Sequence, residues 1–247
     1  MKPTLKIVLS TLAIALSAVT GASSQTSDLL PSADDVVAKM LRANVERRSD
    51  LTGYTALRRY VAVNKDRRAE MVVRMDCTPD GTKQFTTVSE EGSSSIRKHV
   101  FYKMLSEESE ASRRETRDGS RITPANYKFK MVGRQTLGTG PAYVLAIIPK
   151  TENRYLIDGR IWVDAKDYSI VRIEGQPARN PSFWVHNVHF VHTYQRVGQF
   201  WFASSTHSTS EVRIFGASEL NIENTDYALK STKKLAPNSD SIVSMVR

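Results

Sequence analysis

Apolar residues recur mostly at every second position along this chain, which is the period of a half-buried strand. In Glu70-Met71-Val72-Val73-Arg74-Met75-Asp76-Cys77, Met71, Val73, Met75 and Cys77 share one face, with Glu70, Arg74 and Asp76 on the other. Similar stretches predict strands at 54–63, 69–77, 84–88, 127–132, 143–148, 155–164 (broken, if anywhere, at Gly159), 169–174, 183–194, 200–210 and 219–227. Pro79-Asp80-Gly81 is a turn between the second and third, since proline presets one dihedral and glycine tolerates positive φ. Two segments change to helical spacing. Ser32-Ala33-Asp34-Asp35 resembles a capping box, and Val36, Val37, Met40, Leu41 and Val45 follow it as one stripe. A second helix is expected over 94–109, with Ile96, Val100, Phe101, Met104 and Leu105 on one side. The charged stretch 107–121 reads as a loop or a frayed helix end.

Strands spaced this regularly imply an antiparallel meander, without the strand-helix-strand alternation of parallel sheets. A meander this long must curl to shield its edges and one face. The expected fold is therefore mainly β (α+β), a strongly curved antiparallel sheet partly covered by two helices.

The N-terminus adds a leader. Lys2 and Lys6 precede an apolar run from Ile7 to Val19, and Gly21-Ala22-Ser23-Ser24 supplies small residues at a cleavage site. The run is shorter than the ~20 residues that span a bilayer. The pattern predicts a cleaved signal peptide over 1–24, a single domain over 25–229 and a mobile tail over 230–247. Loss of the leader takes Lys2 and Lys6, lowering the net charge from +9 to +7. Export disfavours nucleic acid as the partner of this basic chain. Transient contact with an anionic membrane surface suits it better, beside the plain reading of a solvated basic surface. Cys77 is the one cysteine, so no intramolecular disulfide forms, and its strand face marks it as buried rather than nucleophilic.

Chemistry-bearing motifs are sparse. There is no Gly-x-Ser-x-Gly elbow, no phosphate loop and no helical pair of zinc histidines, so no cofactor or metal is expected. His186, His189 and His192 cluster, but on a strand His189 points away from the other two. A hairpin turning at Val197-Gly198 would pair Tyr194 with Trp201 and Val188 with His207. That register makes His207 a diagonal neighbour of His186, the one geometry that would support a metal-dependent hydrolase. It also places Trp184, Phe190, Tyr194 and Trp201 on one face, with Phe183, Val185, Val191, Phe200 and Phe202 opposite. Two expectations follow: one face packs on a helix while the other lines a cavity, or both faces are plain core packing.

The segments Asn126-Tyr127-Lys128-Phe129, Tyr143-Val144-Leu145-Ala146-Ile147-Ile148-Pro149-Lys150 and Asp158-Gly159-Arg160-Ile161-Trp162-Val163-Asp164 resemble the outer-membrane lipoprotein-sorting family (LolA-like and RseB-like proteins). So do Ile170-Val171-Arg172-Ile173-Glu174-Gly175 and Pro181-Ser182-Phe183-Trp184. The resemblance implies an incomplete barrel with helices packed over its concave face and an apolar cavity beneath. It implies a non-enzymatic periplasmic carrier for lipoprotein acyl chains or another envelope lipid, with an inner- or outer-membrane protein as a further partner; the chain itself is expected to be a monomer. A lipid-sensing envelope-stress regulator is the alternative within that fold. On this reading Trp184, Phe190, Tyr194, Trp201, Phe101 and Met104 are the ligand-binding candidates. The charged 107–121 stretch and the Lys-rich tail depart from the minimal carrier pattern.

Overall fold

A computed structural model describes residues 30–113, 118–180, 183, 185–213 and 216–230. The anticipated leader and most of the tail lie outside them. All ten expected strands are present: β1 (Tyr54–Asn64), β2 (Arg67–Cys77), β3 (Lys83–Gly92), β4 (Tyr127–Leu137), β5 (Gly140–Pro149), β6 (Ile157–Asp164), β7 (Ile170–Pro177), β8 (Val185–Val197), β9 (Phe200–Val212) and β10 (Gly216–Leu229). They form one sheet in the order β3-β2-β1-β10-β9-β8-β7-β6-β5-β4. The sheet is thus two meanders, β1 to β3 and β4 to β10, joined by antiparallel pairing of β1 with β10 (Tyr60 opposite Ile222). β3 and β4, consecutive in sequence, occupy the two free edges, so the sheet is an incomplete barrel. A single meander does not describe it, because the long 93–126 connection frees β3 from β4.

That connection carries the second helical segment. It comprises α2 (Ser94–Ile96), a π-helical turn (Arg97–Phe101) and α3 (Tyr102–Ser112), and it runs one turn further than the apolar stripe indicates. The Ser112 hydroxyl accepts from the Lys83 amide at 2.9 Å, which ties its end to β3. Phe101 is fully buried among Tyr60, Met71 and Val73. The first helix, α1 (Ala33–Asp50), begins at the predicted cap: the Ser32 hydroxyl accepts from the Asp35 amide at 3.1 Å. Asp34 and Asp35 in its first turn and Arg47 and Arg48 in its last match the helix dipole.

α1 buries Val36, Val37 and Met40 against Leu145, Ile147, Ile161, Val163 and Ile173. Its apolar contact stops at Leu41. Val45, expected in the same stripe, is 63% exposed. Within β2, Met71, Val73, Met75 and Cys77 are all buried, as their alternation predicts. The Pro79-Asp80-Gly81 turn is also present, with Gly81 at φ +89° and the Asp80 carboxylate accepting from the Thr82 hydroxyl at 2.8 Å.

β6 is unbroken at Gly159, which lies opposite Gly175 of β7. A Cβ at Gly159 would come within 2.1 Å of the Glu174 carbonyl oxygen, and one at Gly175 within 2.3 Å of the Asp158 oxygen. Glycine here permits a close backbone approach rather than a strand end.

Candidate functional site

Between the C-terminal half of α1 and the sheet lies a cavity of about 560 Å3. Met40 and Leu41 face it from the helix. Tyr54 and Cys77 contribute from β1 and β2, Ile170 and Ile173 from β7, and Tyr194, Phe200, Trp201 and Phe202 from the β8–β9 hairpin. Its mouth is polar and mainly cationic, with Arg47, Arg48, Lys83 and Arg121 beside Asp80. Arg47 is fixed there by donating to the Asp167 carbonyl at 2.8 Å. Phe202 stacks on Tyr227 at 4.7 Å and tilts against Tyr54 at 4.6 Å, so the floor is held by ring contacts. Burial pushes the Cys77 thiol up and the Tyr194 phenol up to about 12, leaving both neutral at physiological pH.

Beside the cavity a buried ionic strut joins the sheet to α3. The Arg58 side chain is 7% exposed and donates to Glu108 Oε2 at 2.5 Å, while Lys83 donates to Glu108 Oε1 at 2.7 Å. Arg58 also donates to Asn224 Oδ1 at 2.7 Å and to the Tyr60 hydroxyl at 3.1 Å. Burial alone would raise the Glu108 pKa, but the Lys83 and Arg58 charges outweigh it and hold the carboxyl at about 2.

His192, whose Nδ1 lies 2.7 Å from the Thr206 hydroxyl, faces the same group. Burial lowers its pKa to about 4, against a pull upward from Glu108, with Arg58 acting in the same sense as burial. The folded protein therefore binds this proton less readily than the unfolded chain. Stability from this group is full above pH 6.5 and is lost as pH falls from 6.5 toward 4, reaching on the order of 3 kcal/mol for a shift of this size. Urea midpoints across pH 4–7 should show that loss, and His192→Gln should flatten it. An unchanged slope in the variant would rule His192 out.

The sequence-predicted candidates separate. Tyr194 and Trp201 border the cavity, and the Trp201 indole donates to Asp167 Oδ2 at 2.8 Å. Phe190 is buried in the cluster beneath α1. Phe101 and Met104 belong to the cluster under the second helix. Trp184 lies outside the described residues. Phe200 and Phe202, assigned from the sequence to the face opposite Tyr194, line the cavity with it.

The hairpin register explains the difference. Its turn is Gly198-Gln199, with Gly198 at φ +62°, so Val197 pairs with Phe200 and Tyr194 with Ala203, not Trp201. A bulge between Thr193 and Tyr194 then breaks strict alternation and re-aims the side chains. The same register pairs His207 with Val191 and His186 with Glu211, so the proposed histidine pair does not assemble. Among the described residues no group of three or more His, Cys, Asp or Glu side chains is placed to hold a metal. Sequence reading missed Arg58 and Glu108, although Arg58 stands at an inward position between Ala56 and Tyr60.

These features define a class: a ten-stranded open antiparallel barrel with helices over one face and a half-enclosed cavity beneath them. No protein-family model matches the chain, and no curated protein matches it in sequence. Among solved structures it is similar to a DUF1329 family protein from Desulfovibrio piger, with TM-score 0.44, 10% identity and coverage of 82% of this chain and 95% of that one. It is also similar to a putative outer membrane lipoprotein-sorting protein domain from Vibrio parahaemolyticus (TM-score 0.39, 13% identity, 82% and 96% covered). A LolA superfamily protein from Nitrosomonas europaea gives TM-score 0.38 at 9% identity, with 82% and 95% covered. These are likenesses of chain path, and the cavity carries the functional reading on its own. Among the described residues no helix is long and apolar enough to cross a membrane.

Proposed function

We propose that the protein is a non-enzymatic periplasmic carrier that holds an acyl chain of a lipoprotein or another envelope lipid in the cavity beneath α1. The supporting observation is the arrangement of that cavity, an aromatic and aliphatic floor under a cationic mouth. Its volume falls within the ~300–1,000 Å3 usual for ligand sites. An acyl chain brought out of water contributes about 0.8 kcal/mol per methylene buried. The polar mouth leaves a head group hydrated, and release needs only a receiving site that binds better. No covalent step is required.

Native mass spectrometry of protein purified from envelope extract, with lipid identification after denaturation, tests this directly. A stoichiometric lipid or acylated peptide is the expected result. A bare protein mass that persists after incubation with lipids and lipoproteins would overturn it. Leu41→Asp puts a short carboxylate on the half-buried cavity side of α1. It should weaken binding of a fluorescent fatty acid at least about tenfold, because an unpaired charge there is desolvated by the chain. Its melting temperature should stay near that of the parent, since Leu41 lies at the end of the packed stripe.

A further inference from the structure

The two ends of the sheet differ in chemistry. The cavity lies toward the end formed by the β2–β3, β6–β7 and β8–β9 turns. At the opposite end the β5–β6, β7–β8, β9–β10 and β1–β2 connections stand side by side, following the sheet order. Arg154, Arg179 and Arg213, one from each of the first three, rim an open cleft of about 1000 Å3 that also takes in Tyr155, Phe183 and His186. The Arg213 guanidinium lies 4.0 Å from the Phe183 ring centroid and the Arg154 guanidinium 4.7 Å from that of Tyr155. Phe183 is 69% exposed. The β1–β2 turn extends the belt, with Lys65 reaching beside Gly216. Acids oppose this charge at several points: Glu152 in the cleft, Glu107 at 3.7 Å from Arg154, Glu211 opposite His186 and Asp66 beside Lys65. That leaves Arg179 and Arg213 as the cations without a carboxylate partner among the described residues.

We propose that this end of the sheet is a docking surface for an anionic phospholipid bilayer. Guanidinium groups match phosphate oxygens bidentately, and each cation near a charged leaflet strengthens attachment. An exposed ring between them can enter the head-group layer, which accepts an apolar body beside polar groups. The cleft is open and spread over three connections, which suits a surface rather than a small ligand. One exposed ring supplies too little apolar area for a stable protein interface, which favours the bilayer as occupant. Docking is independent of the cargo reading, and it leaves the cavity at the end away from the bilayer.

The test is sedimentation of the protein with vesicles of phosphatidylcholine alone and of equal parts phosphatidylcholine and phosphatidylglycerol. Binding should require phosphatidylglycerol and weaken as salt rises. Arg179→Gln with Arg213→Gln should lower the partition coefficient about 30-fold at low salt, and Phe183→Ser should lower it further. Lys166→Gln with Arg196→Gln removes the same charge at the far end and should leave partition within about twofold. Equal losses in both double variants would mean that bulk charge drives binding and would overturn the proposal. So would a parent protein that ignores the anionic vesicles. Fatty-acid binding measured without vesicles should be unchanged in the rim variants, which separates this surface from the cavity.

Discussion

Replacing Glu108 by leucine is expected to destabilise the protein by about 3 kcal/mol, near the lower end of what breaking a buried ion pair costs. The lower end applies because 31% of the Glu108 side chain remains exposed, whereas Arg58 is almost fully enclosed. The loss comes mainly from Arg58, left charged between Tyr60, Met75 and Asn224 with no carboxylate. Arg58→Met combined with Glu108→Leu should recover most of the stability, since an apolar pair of similar volume removes both charges together. Urea denaturation of the three variants decides it. A double variant no better than Glu108→Leu would show that the carboxylate does more than neutralise Arg58. Because the folded pKa of Glu108 is depressed, its contribution is present above the ordinary carboxylate range and disappears as pH falls from about 4.5 toward 2. The strut also pins α3 to β1, so Glu108→Leu should raise hydrogen exchange of the α3 amides more than those of α1.

The second large effect is expected at Gly159. A methyl there meets the Glu174 carbonyl oxygen and the Gly175 Cα, both backbone atoms, so relief requires that β6 and β7 move apart. Gly159→Ala should cost about 3 kcal/mol, the upper part of the range for overpacking, because no flexible side chain can yield. Gly133→Ala is the matched control. It also lies in a strand, but nothing stands within 4 Å of its added Cβ, and the change should stay within about 0.5 kcal/mol of the parent. Equal midpoints for the two variants would mean that the β6–β7 contact relaxes more freely than its spacing implies.

The elements were largely legible in the sequence, and their partnerships were not. Alternation found every strand because it reports which side chains share a face. It found the burial of Cys77 for the same reason. It says nothing about which strands meet over long separations, so the β1–β10 pairing and the two free edges were invisible. Hairpin register failed by two residues at β8–β9 because the turn glycine takes the first of the two turn positions. The bulge beyond it then moved Phe200 and Phe202 to the cavity. Gly159 looked like a break because glycine marks both strand ends and close approaches. Arg58 left a trace as a charge in the inward series Tyr54, Ala56, Arg58, Tyr60, Ala62. Its partner, 50 residues away near the end of the expected second helix, where the charged stretch begins, left none that could be matched to it.

The free edges of β3 and β4 have a mechanical consequence. In a closed barrel, strand number and stagger fix the diameter, so the interior widens only if ladder hydrogen bonds break. Here the circumference is interrupted, and the two margins can spread or approach while every existing ladder stays intact. The interior can thus adjust its girth to its contents at low cost. Such margins invite pairing between copies, and charge opposes the pairing of a margin with its own kind: β3 carries Glu90 and Glu91, while β4 carries Lys128, Lys130 and Arg134. Like margins repel, so the molecule keeps its elasticity without joining to itself margin to matching margin.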